Sequence, residues 1–255
     1  MNLFKNIDIE KYKNGFIDKV SDNIIIEYIL KLFINNVETT SFFCTPSALK
    51  YLVAGYLQSQ SIIERKEDIK KISINENEGK AEAEISKEIN ISAFQNIAIM
   101  SSGEKNICMH EPFKIRQLKN DIKYSLKDVI KLVEKFNNGS NLFNITGGVH
   151  SCAAADGKNF IIFQEDIGRH NAVDKVLGQA LLEGIDLKDK IIFTSGRISS
   201  EMLLKAAKRE VPMVVSVSAP TALSVELARK LNITLAGFAR GDRMNLYSCS
   251  ERLIW

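Results

Sequence analysis

The sequence predicts an α/β protein (α+β overall), with a smaller β-rich N-terminal domain over residues 1–115 and a C-terminal α/β domain over 116–255. Three observations predict it. Up to residue 91 the chain reads as strands, mostly apolar and β-branched over 24–34 and weakly alternating over 69–91, broken by Asn- and Gly-containing turns, with one helical pattern among them. From residue 191 onward, short apolar runs alternate with amphipathic helical segments, which implies a mostly parallel sheet covered by helices. Between these regions, residues 95–116 follow no period and contain Ser101-Ser102-Gly103, Cys108, His110 and Pro112, the composition of a mobile loop. At 255 residues, 45% hydrophobic and 25% charged, the chain is long enough to bury a core in each part.

The elements follow in order. Residues 24–34 and 37–44 are apolar and β-branched, and Asn35-Asn36 between them makes a hairpin turn. Thr45-Pro46 reads as a helix start, with Thr as the cap and Pro at the first helical position, where its missing N–H costs nothing. Leu49, Leu52, Val53, Tyr56 and Leu57 then repeat at helical spacing to residue 58. Residues 69–91 suggest a second hairpin turning at 77–79. Ser125 with Asp128 resembles a capping box for a helix whose apolar stripe is Leu126, Val129, Ile130, Val133 and Phe136, ending at Gly139. Residues 149–155 and 160–163 flank an Asp156-Gly157 turn. A helix over 171–182 follows, then strands at 191–194, 213–217 and 233–238 with helices at 200–209 and 221–231.

Composition excludes several classes. Thirty-four Lys and Arg against 31 Asp and Glu leave a formal charge of +3, too little to argue for duplex nucleic acid, so any anion site is local. No run approaches a membrane span, and residues 1–18 scatter charges through what would be the core of a signal peptide. The four cysteines, Cys44, Cys108, Cys152 and Cys249, are far apart without a CxxC pair, so a cytoplasmic, reduced setting and no protein-ligated metal are expected.

The chemistry concentrates at the strand-to-helix turns of the second half. After successive strands come Glu165-Asp166-Ile167-Gly168-Arg169-His170-Asn171, then Ser195-Gly196-Arg197, then Ser218-Ala219-Pro220-Thr221, and finally Arg240-Gly241-Asp242-Arg243. Carboxyl ends of parallel strands share one rim, where ligands bind. Four of the nine arginines, Arg169, Arg197, Arg240 and Arg243, gather there beside helix N-termini. Arginine grips phosphate bidentately, and glycine lets backbone approach it, so the cluster suits a phosphate-bearing ligand. The alternative is that these arginines pair with Glu165, Asp166 and Asp242. Neither GxxxxGK[ST] nor GxGxxG is present. Gly147-Gly148 before Val149-His150 is either a close approach to a ligand or a plain turn.

His110, His150 and His170 lack the His-x-Glu and Pro-Cys-x-x-Cys of a zinc deaminase. Cys152, in an Ala-rich strand, reads as a buried inert thiol, and Cys44 as core. Cys108 differs: Lys105 and His110 flank it, which favours the thiolate.

These residues carry a resemblance. Glu165-Asp-Ile-Gly-Arg-His-Asn-Ala-Val-Asp-Lys175, Thr146-Gly-Gly-Val-His150, Thr194-Ser-Gly-Arg-Ile-Ser-Ser-Glu201, Val217-Ser-Ala-Pro-Thr221 and Ala236-Gly-Phe-Ala-Arg-Gly-Asp-Arg-Met-Asn245 closely resemble, in order, the motifs of the FdhD family of formate dehydrogenase accessory proteins. The likeness runs from about residue 24 to 248. It implies a persulfide carrier that takes sulfur from a cysteine desulfurase and delivers it to the molybdenum or tungsten bis-guanine-dinucleotide pterin cofactor of the formate dehydrogenase apoenzyme. It also implies a C-terminal three-layer α/β/α domain of cytidine-deaminase-like architecture without zinc, and a homodimer. Members carry a Cys-x-x-Cys between the domains; this chain has Cys108 alone there, so a persulfide on Cys108 would have no resolving thiol beside it and its release would take an acceptor or an external reductant.

The reading is therefore a sulfurtransferase with Cys108 as carrier. Gly147, Gly148, His150, Arg169, His170, Asn171, Ser195, Arg197, Arg240 and Arg243 shape the cofactor pocket, and Lys175 adds charge or is solvated on its helix. The competing readings are a chaperone that binds and presents the cofactor without carrying sulfur, and a nucleotide hydrolase, which would need a metal set or a triad.

Overall fold

The computed structural model describes residues 1–86, 97–99, 116–119 and 121–255. Most of the aperiodic segment, Cys108 included, lies outside the described residues.

The chain opens with a ribbon the sequence reading missed. Strands β1 (Phe4–Lys13) and β2 (Phe16–Ile25) pair with each other only, along their full length. Their turn is Asn14-Gly15, at φ 53° and 90°, the left-handed pair that an Asn-Gly hairpin turn requires. That dipeptide was the available signal, obscured because charges on both faces hide the alternation.

Strands β3 (Tyr28–Ile34) and β4 (Val37–Cys44) form the expected hairpin, with Asn35 and Asn36 both at positive φ. Helix α1 (Leu49–Ser59) follows, then the second hairpin of β5 (Ile69–Asn75) and β6 (Lys80–Ile85). A short strand β7 (Ile97–Ile99), within a segment expected to be irregular, pairs parallel with β4. The five-stranded sheet has the order β5-β6-β3-β4-β7, and Leu30, Leu32, Ile34 and Phe42 pack on Leu52, Val53 and Leu57 of α1.

The helix start corrects an expectation. Thr45 does not cap α1; the cap position is Ala48, in left-handed conformation, with no side-chain hydrogen bond. Thr45 is bonded instead to Asp166, 121 residues on: its N–H and its hydroxyl both donate to Oδ2, each at 3.1 Å.

In the second half, β8 (Tyr124–Ser125) leads into α2 (Leu126–Asn138), with Ser125 Oγ accepting from the Asp128 N–H as expected. A short helix α3 (Asn141–Thr146), capped by Ser140, precedes β9 (His150–Ala155) and β10 (Phe160–Asp166). There follow α4 (Arg169–Glu183), β11 (Ile191–Thr194), α5 (Ser200–Lys208), β12 (Met213–Ser216), α6 (Ala222–Leu231), β13 (Thr234–Arg240), β14 (Arg243–Ser248) and β15 (Leu253–Ile254), which pairs with β8.

The large sheet has the order β10-β9-β11-β12-β13-β14 and is mixed, not mostly parallel. Only the β11–β12 and β12–β13 pairings are parallel. Its strands lack alternation because both faces are buried. Cys152, Ala154, Ile192, Val214 and Leu235 face α4, α5 and α6, while Ala153, Phe193, Met213, Val215 and Ala236 face α2. This is the expected three-layer α/β/α arrangement.

Helices α1 and α4 join the two halves at close range. A Cβ on Gly55 would stand 1.8 Å from the Asp174 carbonyl oxygen, and one on Gly178 would stand 2.0 Å from that of Tyr51. Next to this crossing Lys175, fully buried, sets Nζ 2.6 Å from Asp166 Oδ2 and donates to Thr45 Oγ1 at 2.7 Å. Removing one member of a buried pair leaves an uncompensated charge, usually at a cost of about 3–5 kcal/mol. Lys175→Met is expected at the low end, about 3 kcal/mol by urea unfolding, because Asp166 keeps other donors.

Candidate functional site

Because β9 runs antiparallel to both β10 and β11, strands β10 to β13 other than β9 all point their carboxyl ends to one rim. The same geometry brings the amino ends of β9 and β14 there. His150, first residue of β9, therefore lies level with Asp166, last residue of β10.

At this rim a cavity of about 520 Å3 opens, a volume usual for a small-molecule site. Phe136, Asn137, Ser140, Phe143, Gly147, Gly148, Val149, His150, Ser151, Ile167, Ser195, Val217, Ser218 and Arg240 line it. Gly147 ends α3 at φ 66°, which only a residue without Cβ adopts freely, and its N–H bonds the Phe143 carbonyl at 2.7 Å. A Cβ on Gly148 would meet Ile25 Cγ2 at 2.6 Å, so the end of β2 lies directly against this turn.

The turns after β11 and β12 are held by small hydroxyls. Ser218 Oγ donates to the Ser195 carbonyl at 2.8 Å, and Ser216 Oγ donates to that of Gly196 at 2.8 Å. Ser195 Oγ accepts the Ser151 N–H at 3.0 Å and lies 3.1 Å from His150 Nδ1. Burial, and next the Arg169 guanidinium, lower the His150 pKa below its ordinary value.

The expected pocket residues separate into four groups. Gly147, Gly148, His150, Ser195 and Arg240 line the cavity. Arg169 lies at its edge, with its side chain against Gly196, where a Cβ would stand 2.8 Å from Arg169 Cβ. Arg197 and Arg243 are exposed on the same rim outside the cavity lining, and neither makes an ion pair among the described residues. Two of the carboxylates in the alternative reading have other partners: Glu165 Oε1 accepts from Ser140 and Asp166 holds Lys175.

His170, Asn171 and Lys175 correct the reading. All three are buried on α4; Asn171 and Lys175 are bonded elsewhere, while His170 Nε2 has no hydrogen-bond partner among the described residues. Asn171 Nδ2 donates to the Phe43 carbonyl and to Asp166, each within 2.9 Å. His170 Nδ1 lies 3.3 Å from Glu201, beside the buried Asp174–Lys205 pair. A helix face turned to the core, rather than to solvent, accounts for the bonds of Asn171 and Lys175. Sequence reasoning passed over Phe136, Phe143 and Ser140, which were taken as core, or not noticed, because α3 was not seen; Ser140 as cap and Gly147 as terminator were its signals.

The other cysteines are chemically quiet. Cys44 and Cys152 are buried, which pushes both thiols well up, and burial also raises Cys249. Among the described residues no group of three or more His, Cys, Asp or Glu could hold a metal ion, and no helix is long and apolar enough to cross a membrane.

Comparison with known proteins decides the family. Residues 25–254 match the FdhD/NarQ family. The chain belongs to that family. Among FdhD/NarQ relatives, a sulfur carrier protein FdhD of Bacillus subtilis is 37% identical over 96% of both chains. One from Staphylococcus haemolyticus is 36% identical over 99% of this chain and 97% of that one. A solved structure described as a putative formate dehydrogenase accessory protein from Desulfotalea psychrophila superposes with a TM-score of 0.82 at 24% identity, over 99% and 100% of the two chains, and shows the same fold. The family motifs thus bracket the cavity from the α3–β9 turn to β13.

The electrostatics of His150 are directly measurable. Its ring is expected to titrate below 6.5 and to be neutral at pH 7, as followed by NMR of the ring protons; a midpoint at or above 6.5 contradicts the arrangement.

Proposed function

We propose that this protein is a cytoplasmic sulfur carrier for formate dehydrogenase maturation, with Cys108 as the thiol that carries the sulfur. Full-length similarity to proteins named sulfur carriers is the observation that bears the weight. The raised pKa values of Cys44, Cys152 and Cys249 support Cys108 by chemistry, since a buried thiol is a poor nucleophile at neutral pH.

In the first step the Cys108 thiolate attacks the outer sulfur of a cysteine desulfurase's persulfide. A new S–S bond forms on Cys108, and the desulfurase cysteine departs as thiolate. The cargo is the molybdenum or tungsten bis-guanine-dinucleotide pterin, bound at the rim cavity before the formate dehydrogenase apoenzyme receives it. The cavity chemistry fits a nucleotide portion of that cargo: an exposed Gly147-Gly148 turn, the His150 imidazole and Arg240. With no neighbouring thiol to expel the sulfur as an internal disulfide, its release takes an acceptor or an external reductant.

The strand geometry supports this division of labour. Strand β7 runs parallel to β4 and so points the same way as β4 does towards Thr45, which is bonded to the Asp166 turn of the rim. Cys108 lies nine positions beyond Ile99, with eight residues between, and such a tether spans at most about 30 Å.

A homodimer completes the reading. One face of the β1–β2 ribbon carries Ile7, Ile9, Val20 and Ile24, with Lys5 and Lys11 on β1 and Asp18 and Asp22 on β2. Two-stranded ribbons are marginal alone in water. A second copy, related by a twofold axis along the strands, would lay β1 lysines over β2 aspartates and cover the apolar stripe. Ile7→Lys with Val20→Lys is expected to convert a dimer to a monomer in sedimentation; unchanged mass removes this interface.

Incubation with a desulfurase and cysteine is expected to add about 32 Da, one sulfur, to Cys108 by mass spectrometry. Cys108→Ala should lose the adduct while GDP binding persists. An adduct retained in Cys108→Ala moves the carrier to another cysteine. No adduct in the native protein, with GDP still bound, leaves a cofactor chaperone that carries no sulfur.

A further inference from the structure

Most of the polar atoms lining the cavity have an evident task, but the Ser195 hydroxyl has an unusual one. Its lone pair accepts the Ser151 N–H at 3.0 Å, and its nearest other polar atom is His150 Nδ1 at 3.1 Å. A hydroxyl has one proton and two lone pairs. Were Nδ1 to donate, Ser195 Oγ would accept twice, and its own proton would have no acceptor among the described residues. With the Ser195 O–H donating to Nδ1, the proton and one lone pair of the hydroxyl are both bonded within the protein, whereas the reverse leaves that proton to whatever occupies the cavity Ser195 lines.

We infer that Ser195 is a positioning residue that locks His150 as the Nε2–H tautomer, making its ring a one-way donor to an acceptor oxygen of the bound ligand. Two consequences follow from the geometry. The Nδ1 lone pair is occupied, so His150 is not a base for the cargo's protons. The ring is also oriented, because backbone bonds hold Ser195: its N–H bonds the Ser151 carbonyl at 3.0 Å and its carbonyl accepts from Ser218 Oγ. A fixed, neutral donor recognises oxygen without adding a full charge, and it rejects a ligand that presents N–H at the same place, since two donors would then face each other unpaired.

The charged groups around the ring favour this state. Arg169, on α4, opposes a positive imidazole and so does His170, while Asp166, at the end of β10, acts the other way. Burial is the larger influence and acts with Arg169 and His170, so the balance lowers the ring's pKa and favours the neutral form.

This inference rests on the rim cavity being the cargo's nucleotide site, so its test has one arm that needs no ligand. Ring nitrogen NMR of 15N-histidine protein at pH 7.5 is expected to show His150 with Nε2 protonated and Nδ1 as hydrogen-bonded acceptor. In Ser195→Ala the Nδ1 signal should lose that bond and the two tautomers mix; Ser195→Thr should restore the native pattern. An Nδ1–H tautomer in the native protein overturns the inference whatever the ligand. The second arm titrates GDP, ADP and inorganic pyrophosphate against the native protein, Ser195→Ala and Ser195→Thr. Loss of one oriented hydrogen bond should weaken binding about five- to tenfold in Ser195→Ala, with recovery in Ser195→Thr. Weakening of all three ligands assigns the acceptor to phosphate oxygen, and weakening of GDP alone assigns it to the guanine carbonyl. Unchanged affinities in Ser195→Ala overturn the donor role. Absence of GDP binding to the native protein, with the native tautomer intact, overturns the ligand reading instead.

Discussion

The Asp166 carboxylate is the point on which the architecture turns. It receives the Lys175 ammonium, the N–H and hydroxyl of Thr45, the N–H of Gly168 and the amide of Asn171, and it is fully buried. A carboxylate taken from water needs this many donors, because desolvation otherwise outweighs the attraction of a single partner. Thr45 is the first residue after β4, and Asp166 the last of β10, so the hydrogen bonds of Thr45 to this carboxylate set the end of the N-terminal sheet against the rim of the C-terminal one. The cost is visible locally: Thr45-Pro46, a good helix start by type, is drawn away, and α1 begins at Leu49 behind a left-handed Ala48. A tertiary bond to a charge outweighs a cap, worth about 1 kcal/mol.

The same bond explains how a site of mixed ancestry in the sequence becomes one place. Gly168 leads directly into α4, so its N–H on Asp166 fixes where that helix starts and which way Arg169 leaves it. Helix α4 then crosses α1 at glycine-to-backbone distance, and Leu181 near its end packs into the N-terminal core. Loosening Asp166 would therefore disturb the rim and the helix crossing together. That coupling is mechanical: few side chains intervene, and each is held by a named bond.

The α/β class, most element positions and the rim were legible in residues 125–238 because both signals there are local. Apolar runs of strand length alternate with capped helices, and caps such as Ser125 and Thr221 behave as their types suggest. Strand direction was not legible. Cys152 and Ile192 look alike as buried strand residues, yet β9 runs opposite to β11, and only pairing distinguishes them. His150 consequently reached the site from the amino end of a strand, which the spacing Gly147-Gly148-Val149-His150 did not reveal. Burial was the other illegible quantity. Arg169, His170, Asn171 and Lys175 are adjacent polar residues opening a helix, and nothing in their order tells that Arg169 lies at the cavity edge while Lys175 is sealed off. The apolar residues around them would have helped: Ala172, Val173, Val176 and Leu177 leave that helix no solvent face in this turn.

The distribution of charge suits a cargo held briefly. Cations buried at the site would bind a polyanion tightly and release it slowly, and they would need carboxylate partners before it arrived. Here the buried cations, Lys175 and Lys205, already have such partners in Asp166 and Asp174. The rim cations Arg197, Arg240 and Arg243 are exposed, so water screens them and their pull on phosphate weakens as salt rises. Under the proposed function, discrimination among anions would fall to the oriented groups in the cavity, which are the His150 imidazole, its serine and the glycine turn. That proposal assigns attraction at the rim and discrimination inside it to different residues, so that each could change without the other.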